Sequence, residues 1–165
     1  MAVVLPAGEL PHLRARATAA RQTVVLTNGY FDLLHVGHTR YLQAARALGD
    51  LLVVGVNADA TARRRKDPRR PILPLDERAE LLAALACVDY VVPFAKDSAV
   101  DLVRLLRPDV YVKGGDYAPG GAELPEAPAV AAAGGRVVIL PYEPGHSTTG
   151  IVETVLQRYR AAPPA

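Results

Sequence analysis

Residues 23–57 read TVVLTNGYFDLLHVGHTRYLQAARALGDLLVVGVN: an apolar run, a turn, a helical pattern and a second apolar run. The runs at 23–29 and 51–57 are rich in Val and Leu and end in Gly or Asn, as strands covered on both faces do. Between them, the segment 38–50 puts Tyr41, Leu42, Ala45 and Leu48 on one helical face and closes at Gly49. Strand, helix and strand in that order make a βαβ unit with parallel strands.

The theme then repeats along the chain. A Pro- and Arg-rich stretch at 60–74 reads as a loop, and Asp76 reads as the cap of a helix over ERAELLAALA. DYVVPF follows as a strand, SAVDLVRLL as a helix and DVYVKGG as a strand. After the looser DYAPGGAELPEAPAV come a short helix ending at Gly134 and Gly135, a strand RVVILP and a last helix from Thr148 to Arg160. Five strands alternating with helices predict an α/β protein: a doubly wound, five-stranded parallel sheet with helices on both faces. A helical segment at about 8–20 precedes a core at about 21–160, all within one domain spanning 1–165. In such sheets ligands gather beyond the carboxyl ends of the strands. Those ends carry Asn28 to His38, Asn57 to Asp59, Phe94, Lys113 to Asp116 and Tyr142 to Thr149.

Composition narrows the function classes. The chain has 165 residues, is 50% hydrophobic and has a formal net charge of +2, which calls for neither nucleic acid nor a membrane surface as partner. One cysteine, Cys87 in an apolar run, excludes an intrachain disulfide, and the opening stretch breaks at Pro6 without a signal-peptide core. A cytoplasmic setting is expected. Only three of the 19 basic residues are lysine, at 66, 96 and 113.

His35 and His38 fall three apart at the start of the first βαβ helix, hence on one face, where free backbone N–H groups and the helix dipole attract an anion. Gly37 between them allows close approach. Two imidazoles there can donate hydrogen bonds to phosphate oxygens as charge shifts in phosphoryl or nucleotidyl transfer. No third His, Cys or carboxylate at helical spacing completes a zinc site, and neither a GxxxxGK[ST] loop nor a GxGxxG turn occurs.

HVGH at 35–38, preceded by LTNGYFD, resembles the HxGH nucleotidyltransferases. GDLLVVGVNADATARRRKDPRRPILPLDERAELLAAL, RPDVYVKGGDY and GHSTTGIV extend the likeness, over about residues 20–160, to the heptose 1-phosphate adenylyltransferase domain. KGGDY with a downstream STT favours that branch over the glycerol 3-phosphate and choline-type cytidylyltransferases, whose corresponding segment reads like RTEGIS. The resemblance implies a Rossmann-like fold and attack of a D-glycero-D-manno-heptose 1-phosphate oxygen on the α-phosphorus of ATP. ADP-heptose and pyrophosphate would result, with magnesium escorting the triphosphate and no covalent enzyme intermediate. It also implies a homodimer and, since the chain carries no sugar-kinase half, a separate kinase supplying the 1-phosphate.

On this resemblance His35, His38, Lys66 and Lys113 are the expected catalytic group. Lys66 would close over the phosphates, although six basic residues from Arg63 to Arg70 equally suit a solvated face. Lys113 ends an apolar strand before Gly114 and Gly115, whose turn can present N–H groups to a ligand. Asn28, Gly29, Tyr30, Phe31 and Gly37 would shape the nucleotide wall. Ser147, Thr148 and Thr149 would bind a phosphate or cap the last helix. Asp32 and Asp116 would accept from sugar hydroxyls or stabilise turns, and Arg78 would reach phosphate or cap its own helix. Two rivals stand: a cytidylyltransferase acting on glycerol 3-phosphate or a choline-type phosphate, and a non-catalytic nucleotide- or nucleic-acid-binding module built on the 63–70 run.

Overall fold

The computed structural model describes residues 2–115, 124–141 and 144–160. Its strands are β1 (Val3–Val4), β2 (Val24–Gly29), β3 (Leu51–Asn57), β4 (Tyr90–Phe94), β5 (Val110–Gly114) and β6 (Arg136–Leu140). Its α-helices are α1 (Leu10–Ala19), α2 (Val36–Arg46), α3 (Asp59–Arg65), α4 (Leu75–Ala83), α5 (Val100–Leu106), α6 (Ala127–Ala132) and α7 (Thr148–Arg160). All strands are parallel, in the order β1-β4-β3-β2-β5-β6.

Alternate strand residues feed two separate cores, as the pleat requires. Val25, Val54, Val91 and Val112 pack under Leu42 and Ala45 of α2 and Ala79 and Leu82 of α4. Val24, Leu26, Val53 and Tyr111 face the opposite way, against Leu10 and Leu13 of α1, Leu102 and Leu106 of α5, and Val130 of α6. The sheet is therefore covered on both faces, which is why its strands carry no polar stripe. Winding proceeds from β2 outward through β3 and β4, and then restarts on the other side of β2 with β5 and β6. The switch falls between β2 and β5, where Thr27 pairs with Val112. Asn28 and Gly29 on one side and Lys113 and Gly114 on the other therefore border one crevice.

Three local expectations are corrected. The sheet has six strands, not five: Val3 and Val4 pair with Tyr90 and Val91 at its edge. Two residues, 51% and 48% exposed, leave no hydrophobic period to read. Within 60–74, expected as a loop, Asp59–Arg65 forms α3, an arginine-rich helix of about two turns that buries Thr61 and Ala62. The following helix starts at Leu75 behind Pro74, so Asp76 lies in its first turn and is not the cap.

Candidate active site

The turn from β2 into α2 is strained. Phe31 and Leu33 both adopt left-handed backbone, with φ of 50° and 48°, which non-glycine residues hold only when their surroundings enforce it. Asp32 supplies the enforcement. It is 6% exposed, and its carboxylate accepts from the Ile72 amide at 2.9 Å, the Leu73 amide at 3.1 Å and the Arg70 guanidinium at 3.1 Å. Its backbone carbonyl accepts from the Thr148 hydroxyl at 2.6 Å. Of the two roles expected for Asp32 these contacts fit the turn-holding one, since both carboxylate oxygens accept inside the protein. Arg78 is engaged inside the protein as well. It is fully buried, and donates to the carbonyls of Leu73 at 3.0 Å, Tyr30 and Asn57 at 2.9 Å, and to Asp59 at 2.7 Å. Its charge braces the strand ends and does not face a phosphate.

Around this braced turn, His35 occupies the cap position of α2 and His38 its first turn. Their rings stack with centroids 3.8 Å apart, and Phe31 meets His38 edge-on at 5.4 Å. The Nδ1 atoms of both histidines are buried without a hydrogen-bond partner. Burial holds His38 down to about 4, helped by His35 and opposed by Asp32. Burial and the neighbouring His146 lower His35. The pair is therefore neutral near pH 7, a donor set without charge. Gly37 permits the arrangement: a Cβ there would stand 3.0 Å from both the His146 Cβ and the His35 ring. A cavity of about 280 Å³ opens in front of these rings, bordered further by Tyr41, Gly114, Ser147 and Thr148.

Two lysines follow the same set of strand ends, Lys113 in β5 and Lys66 directly after α3. Lys113 Nζ sits 5.9 Å from the Tyr111 ring centroid and Lys66 Nζ 5.7 Å from that of Tyr30. Burial lowers Lys113 and the charge of Lys66 lowers it further, while Glu126 opposes both. The Tyr111 hydroxyl and Asn28 Oδ1 are hydrogen-bonded at 2.5 Å, tying β5 to β2 beside Lys113. The basic run around Lys66 is laced with carboxylates: Arg63 pairs with Asp59, Arg64 and Arg65 with Asp97, Arg69 with Asp67 and Arg70 with Asp32. Much of its field is thereby offset.

The structure thus brings together His35, His38, Gly37, Phe31, Gly114, Ser147 and Thr148, with Lys66, Lys113, Asn28, Gly29, Tyr30 and Gly115 alongside. Ser147 also caps its helix, accepting from the Gly150 amide at 3.0 Å, whereas Thr149 is exposed. Asp116 lies outside the described residues, as does most of the loop from 117. Three lining residues were missed from sequence, Pro141 among them. Tyr41 read as core; its hydroxyl donates to the Val112 carbonyl at 3.1 Å and meets the Thr27 hydroxyl at 2.7 Å. His146 stands alone beside a glycine, and only the fold of α7 against α2 reveals its place.

Known proteins share this architecture. The cytidylyltransferase-like family model matches residues 26–153. Proteins named "Bifunctional protein HldE" are 51% identical over 91% of this chain in Trichlorobacter lovleyi and 55% identical over 84% in Syntrophotalea carbinolica. The chain spans 30% and 28% of their respective lengths. The crystal structure of a lipopolysaccharide core biosynthesis protein from Thermoplasma volcanium is similar at a TM-score of 0.60 and 30% identity, covering 74% of this chain and 97% of that one. A pantoate-beta-alanine ligase from Francisella tularensis, 13% identical at a TM-score of 0.59 and matching over 97% of this chain and 78% of its own, shares the fold alone. On the extent of the family match and on the HldE identities, this chain belongs to the cytidylyltransferase-like family.

Proposed function

We propose that this protein transfers AMP from ATP to D-glycero-D-manno-heptose 1-phosphate, giving ADP-heptose and pyrophosphate. The observation that carries the reading is the cavity beyond the strand ends: neutral, stacked His35 and His38 with Ser147 and Thr148 at the start of α7 lining it, and Lys113 next to the lining Gly114. An acceptor phosphate oxygen attacks the α-phosphorus as the bond to the bridging oxygen of the β-phosphate breaks, and pyrophosphate leaves. His35 and His38 donate to non-bridging oxygens of the reacting phosphate, and Lys66 and Lys113 offset charge along the phosphate chain. The half-buried histidines and the buried Tyr111 lower the local dielectric, which strengthens each of these contacts.

Among the described residues no three His, Cys, Asp or Glu side chains group into a metal site. Magnesium would accompany the triphosphate and offset part of its charge. The sugar assignment draws on the HldE relatives and the lipopolysaccharide core biosynthesis protein. Such an acceptor requires a kinase acting on the anomeric hydroxyl. A cytoplasmic homodimer completes the reading: α7 exposes Val155, Leu156 and Tyr159, an apolar face for a second copy, and no described helix is long and apolar enough to cross a membrane.

The test is pyrophosphate release across ATP, CTP, GTP and UTP, each crossed with both anomers of the heptose 1-phosphate, glycerol 3-phosphate and phosphocholine. Turnover with ATP and one heptose anomer is expected. Preference for CTP with glycerol 3-phosphate would overturn the substrate assignment, and binding of polynucleotide without any turnover would overturn catalysis.

A further inference from the structure

The strand ends present different chemistry on the two faces of the sheet. On the α2 face they open into the histidine cavity, whose lining includes neither Asn28 nor Lys113. On the other face, a Cβ placed at Gly55 would meet the Asn28 Cβ at 3.1 Å, Leu102 of α5 at 2.8 Å and Phe94 at 3.2 Å, so the Asn28 side chain stands on the α5 side. Tyr111, packed among the α5-side residues, and Lys113, its alternate neighbour in β5, share that side. β2 and β5 pair through Thr27 and Val112, so Asn28 and Lys113 follow one step further along the two strands.

Tyr111 joins the two. It is fully buried, yet its hydroxyl donates to Asn28 Oδ1 at 2.5 Å, and its ring centroid lies 5.9 Å from Lys113 Nζ. A carboxamide whose oxygen is engaged in this way has its two N–H donors left to offer. Asn28 is half-buried, and its Nδ2 has no partner among the described residues and is not sealed off as the Nδ1 atoms of His35 and His38 are. An ammonium beside a neutral N–H donor suits a ligand that presents an anionic oxygen and a hydroxyl oxygen close together, as a phosphorylated sugar does. Phosphocholine has no hydroxyl and would bring a second cation toward Lys113.

We propose that Tyr111 is a positioning residue for the acceptor: it fixes the Asn28 carboxamide so that Nδ2 donates to a hydroxyl oxygen of the sugar phosphate, beside Lys113. This role rests on the nucleotidyl-transfer reading and deepens it, because Asn28 then determines which phosphate monoesters serve as acceptor. The terminal torsion of an asparagine is broad and two-fold, so a carboxamide without an anchor spends part of its time with oxygen and nitrogen exchanged. The buried phenol hydroxyl supplies that anchor from below the strand end, and its ring fills the core whether or not the hydroxyl is present.

The experiment measures binding to the full chain, with a non-hydrolysable ATP analogue present, of D-glycero-D-manno-heptose 1-phosphate by calorimetry and of methyl phosphate, a monoester without hydroxyls, by competition. The proteins are wild type, Asn28→Ala, Tyr111→Phe and the double variant, with thermal melts to check the fold. Asn28→Ala should weaken the heptose 1-phosphate about 10-fold and Tyr111→Phe about 3-fold, with little change for methyl phosphate. The double variant should be no weaker than Asn28→Ala, since the tyrosine acts through the asparagine. An equal loss for methyl phosphate, a Tyr111→Phe protein that binds like wild type, or losses that add in the double variant would overturn the proposal. A wild type that binds no heptose 1-phosphate overturns it together with the substrate assignment. Should wild type show the expected pattern yet turn over no nucleotide and acceptor pair, the reaction assignment fails and the roles of Tyr111 and Asn28 stand. Turnover of the heptose 1-phosphate with unchanged binding in all three variants fails those roles alone.

Discussion

The imidazole rings of His35 and His38 stack with centroids 3.8 Å apart and planes inclined by 23°. Two cations at that separation repel strongly in a half-buried site, so the stacked pair works as neutral donors. Replacing either by alanine should lower turnover about 10²-fold or more, with a smaller change in KM, because the donors act mainly as charge develops on the reacting phosphate. Steady-state kinetics with far-UV spectra as a folding control checks this.

The same burial gives a signed pH effect on stability. His38 has a folded value of about 4 against an ordinary 6.5, so the unfolded chain binds its proton more readily. This contribution to stability is present above about pH 6.5 and is lost as pH falls toward 4. Urea midpoints should therefore fall on acidification from pH 7 to 5, and the fall should be smaller in His38→Gln. Equal slopes in the two proteins would refute the assignment.

Arg78 should behave as a brace and not as a ligand. Arg78→Leu strands the carbonyls of Leu73, Tyr30 and Asn57 and the Asp59 carboxylate, at a cost of about 3 kcal/mol or more by denaturant unfolding. A stable variant with raised KM alone would return Arg78 to the substrate.

Gly37 tests the close contact between α2 and His146. A methyl group there stands 3.0 Å from the His146 Cβ and the His35 ring, so Gly37→Ala should push both rings and lower kcat/KM about 10-fold, with a modest drop in melting temperature. Unchanged kinetics would mean that the cavity is looser than its geometry indicates.

On the proposed reaction Lys113, a flexible point charge beside Glu126 and Lys66, would meet the phosphate chain. Lys113→Met should then lower kcat/KM by about 10²-fold and Lys113→Arg should recover little, since a planar fork does not reproduce a compact ammonium charge. Full recovery by arginine would reduce the lysine to its charge.

Much of this was legible in the chain. The βαβ pattern of 23–57, the last helix from Thr148 to Arg160 and the HVGH pair were read where they stand, because hydrophobic period and local spacing are properties of neighbours in sequence. The edge strand at Val3–Val4 was not legible, since its pairing with β4 leaves no period in two exposed residues. Asp32 and Arg78 were recognised as important, with a turn role for Asp32 open beside a sugar contact, but their partners could not be named. These lie 5 to 48 positions away and include backbone amides and carbonyls, and sequence names side chains without saying which backbone groups will face them.

The sequence alone determined the alternation of strands and helices, the paired histidines at the head of the first βαβ helix and the two lysines at strand and helix ends, all set by local periodicity and chain chemistry. Tertiary structure alone decided which charges are spent internally and which face the crevice, and it set His146 against Gly37. Those assignments depend on contacts between segments far apart in sequence, from Asp32 with Arg70 to Gly37 with His146, and on the burial that holds His35 and His38 neutral.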